Sequence, residues 1–325
     1  MGIISTKHLA KVFSGKIRAV DGIDLEVEAG QIFGFLGPNG AGKTTMLRML
    51  ATLLPIDGGE ALVAGYDVKL QSQKVRQHIG YVSQLGGADT LATGNEDLLL
   101  QGQLYQMSLH DARKRADELI SLLDLRDFAD RRVNTYSGGQ KRRLDVALGL
   151  MHHPDVLFLD EPSTGLDPQN RANLWVQIKK LRDSGTTIFL TTHYLEEADA
   201  LSDHLAIMDH GKIVAEGTSR QLKQQISGDS VVMSFKNDGE TINKSLTVLR
   251  QHPLIKEAAI EEDHIRLYVK VGAEALPEII RLMDKENIRI KTITLSEPTL
   301  DDVFLRETGR SLRDTEATGQ DVEAK

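Results

Sequence analysis

Gly37-Pro38-Asn39-Gly40-Ala41-Gly42-Lys43-Thr44-Thr45 fits the phosphate-loop pattern G-x-x-x-x-G-K-[ST]. Just before it, Ile32-Phe33-Gly34-Phe35-Leu36 reads as a buried strand. Just after it, Met46-Leu47-Arg48-Met49-Leu50 is apolar at helical spacing. The glycines therefore sit between a strand and a helix N-terminus, the context the motif requires. Three glycines let the backbone curl so that successive N–H groups face phosphate oxygens. The helix start adds the positive end of its dipole. In this reading Lys43 bridges the β- and γ-phosphates of a nucleotide, and the Thr44 hydroxyl binds Mg²⁺. A glycine-rich turn without a ligand is the plain alternative, and the flanking strand and helix decide against it.

Further along, Val156-Leu157-Phe158-Leu159-Asp160-Glu161 is a short apolar run ending in two carboxylates. A buried strand ending in Asp fits a Walker B strand, with Asp160 near Mg²⁺. Glu161 is placed to act as general base toward water. Thr186–Thr192 reads as another strand, ending at His193. In an open α/β sheet ligands gather at the carboxyl ends of strands, so Asp160 and His193 can share a site. Ser163–Pro168 is a turn, and a helix follows from about Gln169 to Ser184.

Residues 3–28 contain an alternation, with Ile23, Leu25 and Val27 on one face and Asp24, Glu26 and Glu28 on the other. This predicts a half-buried antiparallel strand. Phe13, upstream of the loop, is either a core aromatic or a platform for a base. Residues 55–84 read as strands and turns, with strands at 60–65 and 79–84, the second ending in Gln84. Residues 88–150 read as a mainly helical insertion, with helices at 96–107 and 110–123. Asp111, Arg113, Lys114 and Arg115 form a solvated face there. Tyr136-Ser137-Gly138-Gly139-Gln140 precedes a basic helix that Ser137 can cap. By residue chemistry alone, a glycine turn and a second anion-facing helix start are equally good readings. Two short strands joined at His210-Gly211 close this part of the chain.

The chain has 325 residues, room for about two domains. Hydrophobic content of 40% supports an ordinary core. A net charge of −8 gives no basic signature for nucleic acid. With no cysteine, disulfides and thiolate metal sites are excluded. No signal-peptide pattern opens the chain, and no window reaches the roughly 18 apolar residues of a membrane span. The expectation is a chain soluble by itself that meets any membrane through a partner.

Residues 226–308 read as a separate unit in the order βαββαβ, the split-βαβ, ferredoxin-like pattern. Thr299-Leu300-Asp301-Asp302 fits a capping-box variant opening a last helix. No catalytic cluster is visible there, so it reads as an accessory or regulatory domain for dimerisation or docking. After Gly309 the chain turns polar and reads as a disordered tail.

Taken together these motifs resemble the ATP-binding-cassette (ABC) ATPases over about residues 3–220. Gly37–Thr45 matches Walker A, Tyr136–Gln140 the signature motif, and Val156–Glu161 Walker B with its catalytic glutamate. Ser163–Asp167 matches the D-loop, Gln84 the Q-loop and His193 the switch histidine. Tyr136 stands where Leu is more usual. The resemblance implies an α/β fold: a P-loop NTPase cassette with a mixed-sheet core, an antiparallel β subdomain and the inserted helical subdomain, over about 1–225. It implies head-to-tail pairing of two cassettes. Ser137, Gly138, Gly139 and Gln140 of one would then face the ATP held by Lys43 of the other. It also implies that Gln84 joins Thr44 at Mg²⁺, that His193 contacts the γ-phosphate, and that Phe13 stacks on adenine. The segment after Gln84 would meet a coupling helix of a separate permease at the cytoplasmic face of the membrane.

Tyr136–Leu144, Thr191-Thr192-His193-Tyr194 and Glu297–Phe304 further resemble the drug-resistance type, the daunorubicin-resistance-like ATPase subunits of ABC-2 exporters. An importer subunit, or an ABC ATPase acting on ribosomes or nucleic acid, are the rival readings. The second lacks a tandem cassette or a basic arm.

Overall fold

The computed structural model describes residues 2–226, 229–235, 239–261, 264–296, 298–309 and 311–312. The polar tail beyond Gly309 and Glu297 of the 297–304 segment fall outside them, Ser311 and Leu312 excepted. The chain divides into two compact units, one up to Ser219 and one at Arg220–Gly309.

The first unit begins with β1 (Ile4–Phe13) and β2 (Ile17–Val27), then β3 (Ile32–Leu36) and α1 (Lys43–Leu50). Next come β4 (Gly58–Val63), β5 (Tyr66–Asp67), α2 (Ser72–His78) and β6 (Ile79–Val82). The inserted helices are α3 (Gly94–Leu104), α4 (Leu109–Leu122) and α5 (Gly138–Gly149). Then follow β7 (Val156–Asp160), α6 (Pro168–Asp183), β8 (Thr187–Thr192), α7 (Leu195–Leu201), β9 (His204–Asp209) and β10 (Lys212–Gly217). A short helix, α8 (Ser219–Gln225), spans the boundary between the units.

A six-stranded sheet in the order β10-β9-β3-β8-β7-β6 forms the centre, parallel except for β10. β3, β7 and β8 are buried along their whole length, as parallel strands covered on both faces must be. Alternation still sorts their side chains. Phe33, Phe35, Phe158 and Phe189 point to one face, packing with Met46, Leu47 and Leu50 of α1 and with Ile4 and Leu9 of β1. Ile32, Leu157, Leu159, Ile188 and Leu190 point to the other, against Leu98, Leu119, Leu144, Leu174 and Ile178 of the helices. Phe189 stacks on Phe33 at 5.4 Å and contacts Phe35 and Phe158 at 5.7 Å. Each such burial contributes about 1.5–3 kcal/mol. β1 belongs to a second, four-stranded antiparallel sheet in the order β2-β1-β4-β5.

The structure corrects several expectations. The stretch 3–28 forms two strands, turned at Ser14 and Gly15, both at positive φ. The segment 55–84 contains the helix α2, which carries one buried apolar residue, Val75, and so shows no helical periodicity. The strand expected at 60–65 is Gly58–Val63, because Ala64 and Gly65 both take positive φ and turn the chain into β5. The strand expected at 79–84 stops at Val82, and Ser83 and Gln84 leave the sheet. Arg115 is not part of a solvated face: its guanidinium turns inward to donate to the Leu150 carbonyl.

The second unit holds β11 (Asp229–Phe235), α9 (Gly239–Arg250), β12 (Ile255–Glu261), β13 (His264–Val269), α10 (Gly272–Lys285), β14 (Ile290–Ser296) and α11 (Leu300–Thr308). Its sheet is antiparallel in the order β12-β13-β11-β14. Val231, Met233, Ile265, Leu267 and Val269 pack against Leu249, Ala275, Ile279 and Met283. Thr299 and Asp302 form the capping box of α11. Asp302, buried, also accepts from Arg266 and from the Tyr268 hydroxyl, each at 3.0 Å.

Candidate active site

The loop 37–42 leaves β3 and enters α1. Gly37 donates to the Thr192 carbonyl at 3.2 Å, tying the loop to the end of β8. Gly42 takes φ 107°, and a Cβ there would sit 2.0 Å from the Ala19 carbonyl oxygen of β2. A Cβ on Gly37 would lie 2.2 Å from the Met208 carbonyl oxygen. Gly40, at φ 79°, faces open space, and Asn39 beside it is exposed. The loop is therefore held from below by close backbone packing that only glycine allows, while its tip stays free. No side chain caps α1 at Gly42, and a helix start of this kind presents backbone N–H groups toward an anion.

Lys43 is buried, 4% exposed, and donates to the carbonyls of Gly37 and Pro38 at 2.7 and 3.1 Å. Its Nζ lies 3.6 Å from Glu161 Oε1. Thr44 donates to Asp160 Oδ1 at 2.9 Å, and Thr191 donates to the same oxygen at 2.7 Å. The Tyr81 hydroxyl lies 3.5 Å from the other Asp160 oxygen. The strand ends of β7 and β8 thus bring the Asp160–Glu161 carboxylate pair to the phosphate loop.

Glu161 follows β7 at φ 45°, a left-handed conformation uncommon for a side chain of this kind. Its N–H is held by the Thr191 carbonyl and hydroxyl, each at 3.1 Å. Gln84 donates to Glu161 Oε2 at 3.1 Å, Thr164 donates to it at 3.3 Å, and His193 Nδ1 lies 3.3 Å away. Burial pushes the Glu161 carboxyl up. The His193 contact and the Lys43 charge outweigh it and hold the group below its ordinary value. A carboxyl held low in this way favours its charged form at neutral pH.

Of the residues read from sequence, Lys43, Thr44, Gln84, Asp160, Glu161 and His193 converge. Ser137 and Gln140 do not join them: they cap α5 reciprocally, with Ser137 N–H donating to Gln140 Oε1 at 2.9 Å. Gly138 and Gly139 form the first turn of that helix, Gly139 packed under Asn170 of α6. Phe13, 39% exposed, ends β1 at the hairpin to β2, the strand whose Ala19 carbonyl touches Gly42. Sequence reasoning missed Tyr81, Thr164 and Thr191. Only the Thr191-Thr192-His193 run at a strand end hinted at one of them.

The donor set fits a triphosphate with a hard divalent cation. The loop offers backbone N–H and a lysine to phosphate, and Thr44 with Asp160 offers only oxygen. Among the described residues no group of three or more His, Cys, Asp and Glu could hold a metal. Mg²⁺ does not need one, because it keeps water and phosphate ligands.

Comparison with known proteins supports the nucleotide reading. The family described as ABC transporter matches residues 20–164. The family described as ATP-binding protein DrrA1-3-like, C-terminal domain, matches residues 217–308. The chain is 43% identical to the daunorubicin resistance ATP-binding protein DrrA2 of Streptomyces coeruleorubidus, over 93% of this chain and 94% of that protein. It is 32% identical to the linearmycin resistance ATP-binding protein LnrL of Bacillus subtilis, over 96% of this chain and all of that one. Among solved structures it resembles a dimeric ATP-binding cassette in a post-hydrolysis state bound to ADP and Pi, with TM-score 0.60 and 27% identity, over 66% of this chain and 98% of that one. Identity of this extent, along nearly the whole of both chains, places the protein in the ABC transporter family as an ATP-binding, ATP-hydrolysing subunit.

Proposed function

We propose that the chain is the ATPase of a membrane exporter of drugs or other lipophilic compounds, working with a separate multi-span permease and pairing with a second copy of itself. The observation that carries the ATPase chemistry is the Lys43–Glu161–Gln84–His193 cluster beside an open phosphate loop. Resistance and export are the roles for which its relatives are named, among them a Nod factor export ATP-binding protein of Cupriavidus metallidurans at 37% identity. Among the described residues no helix is long and apolar enough to cross a membrane. In this reading the chain reaches the cytoplasmic face of the membrane through the permease, as expected for an ATP-binding subunit of this family.

In this reading residues 37–45 hold the phosphates of ATP, with Lys43 on the β- and γ-groups. Phe13 supports the adenine. Thr44, Gln84 and Asp160 hold Mg²⁺, which neutralises charge on the phosphates. Glu161 accepts the proton as a water oxygen bonds the γ-phosphorus and the bond to ADP breaks. His193 holds Glu161 and the γ-phosphate. Ser137–Gln140 of the second copy close over the same phosphate.

A groove of about 370 Å³ supports permease docking on this unit. It is lined by Leu53, Arg76, Tyr81, Gly86, Gln101 and Tyr105. Leu85, 93% exposed, and Leu104, 69% exposed, lie beside it in sequence. The 220–309 unit reads as an accessory domain supporting pairing or docking. The test is capture of the tagged Glu161→Gln chain, held in ATP, from solubilised membranes of its host. A multi-span membrane protein at about one per pair of cassettes supports the exporter reading. Ribosomal proteins or nucleic acid in its place overturn it and leave the ATPase standing.

A further inference from the structure

Arg142 and Asp145 stand one turn apart on α5, the helix that Ser137–Gln140 open, and both are buried, 6% exposed each. The Arg142 guanidinium makes three donations to main-chain carbonyls and touches two separate segments. Nε donates to Pro162 at 2.7 Å and Nη2 to Asp160 at 3.0 Å, so it grips the residues on either side of Glu161. Nη1 donates to Ser83 at 2.6 Å, the residue before Gln84. Asp145 takes the other side of that loop. Its Oδ1 accepts from the N–H of Gly87 and Ala88 at 2.8 and 3.0 Å. Gly86, at φ 78°, has room for no Cβ, which would meet the Asp145 carboxylate at 2.5 Å.

We infer that Arg142 and Asp145 are positioning residues that join the signature helix, the Gln84 loop and the backbone around Glu161 into one moving body. The chemistry favours this over ordinary packing. A guanidinium is a planar fork with five donors, and here it spans carbonyls that lie just past the last β6–β7 pair, Val82 with Leu159, where the ladder no longer holds the two segments. A lysine can reach only part of the set. Asp145 supplies the opposite polarity to the next turn of the same loop, so the loop is held at both ends by one rigid helix. Any shift of α5, whose first turn faces a second cassette in the reading above, then moves Gln84 and the Glu161 backbone together. Any shift at Glu161 reaches residues 83–88, which border the groove. The inference rests on that reading in taking Glu161 as the base.

The experiment uses the full chain with Arg142→Met, Arg142→Lys, Asp145→Ala and Asp145→Asn. ATP turnover, ATP affinity and amide exchange of the 83–88 segment are read with and without ATP. Exchange is followed in a Glu161→Gln background to hold the nucleotide. Arg142→Met is expected to lower kcat at least about 10-fold with ATP affinity within about 2-fold, the weight of a lost orienting contact. It is also expected to abolish the ATP-dependent change in exchange at 83–88. Asp145→Asn, which keeps the acceptor oxygen, should retain that change, whereas Asp145→Ala should lose it. Adding Gln84→Ala to Arg142→Met should cost little more, since both act through one loop. Should Arg142→Met fail to fold, Arg142→Lys carries the same comparison. A full ATP-dependent exchange response in the folded Arg variant, or losses that simply multiply with Gln84→Ala, overturns the linkage. Unchanged turnover in Glu161→Gln alone would instead remove the base assignment, while the exchange readout still decides the linkage.

Discussion

Lys43 Nζ stands 3.6 Å from Glu161 Oε1, with both side chains almost wholly buried. A cation and a carboxylate that close, away from water, stabilise each other's charged forms. The pair comes from the first turn of α1 and from just past the end of β7, 118 positions apart. Phosphate would compete with the carboxylate for the lysine, which gives the pair two alternative partners for one ammonium.

The two residues have separable roles. Glu161→Gln is expected to lower ATP turnover by about 10²–10⁴-fold, the usual weight of a general base, with ATP binding retained. Lys43→Ala is expected to lose ATP binding itself. Steady-state phosphate release and equilibrium nucleotide binding on both variants check this. Unaltered turnover in the glutamine variant would remove Glu161 from the role.

Divalent cation is expected to be required for turnover. Chelation should abolish phosphate release and added Mg²⁺ restore it. Thr44→Ala should raise the Mg²⁺ concentration giving half-maximal turnover at least about 10-fold, because it removes the only neutral oxygen donor paired with Asp160 Oδ1 from the phosphate loop. An identical Mg²⁺ titration in wild type and variant would contradict that placement.

His152 sets a pH dependence of stability. Burial pushes its imidazole down to about 4, Tyr105 stacks on it at 3.7 Å, and Nε2 lies 2.9 Å from the Ile79 carbonyl oxygen. The unfolded chain holds the proton more tightly than the folded one between the two pKa values. Stability from this group is therefore complete above about pH 6.5 and is lost as pH falls toward 4. Its partial exposure limits the loss to roughly 1–2 kcal/mol. Urea midpoints at pH 7 and 5 should fall further in wild type than in His152→Gln, and equal falls would refute the assignment.

In the second unit, Asp302 binds Arg266, Tyr268 and its own helix cap at once. Asp302→Ala removes the buried carboxylate to which the half-buried Arg266 guanidinium and the buried Tyr268 hydroxyl both donate, at a cost of about 3 kcal/mol. Asp302→Asn should cost less, since it keeps an acceptor oxygen. Denaturant unfolding of the full chain, followed by proteolysis within 220–309, measures both. An alanine variant as stable as wild type would show that α11 is held elsewhere.

The phosphate loop, the strand ending in Asp160 and Glu161, and the split order of the second unit were legible because each is local. Glycines at fixed offsets, apolar runs of strand length and helical spacing carry their meaning within about ten residues. The helix α2 was not legible, because one buried valine in seven residues leaves no period to read. Nor was the strand end at Val82, where the apolar run gives no stop signal and the chain leaves the sheet to be gripped by Arg142.

By itself the sequence determined which residues are candidates for the chemistry, since a lysine, a hydroxyl, carboxylates and a histidine in that order have few other uses. Only the tertiary structure decided what each one touches. Lys43, Gln84, Glu161 and His193 meet because four strands of one sheet end at the same edge, at a distance no spacing in the chain encodes. Arg142 looked like one cation of a basic helix, and its burial among the carbonyls of Ser83, Asp160 and Pro162 comes from how α5 packs over those strand ends. Charge is written in the residue, but the dielectric and the partners around it come from the fold.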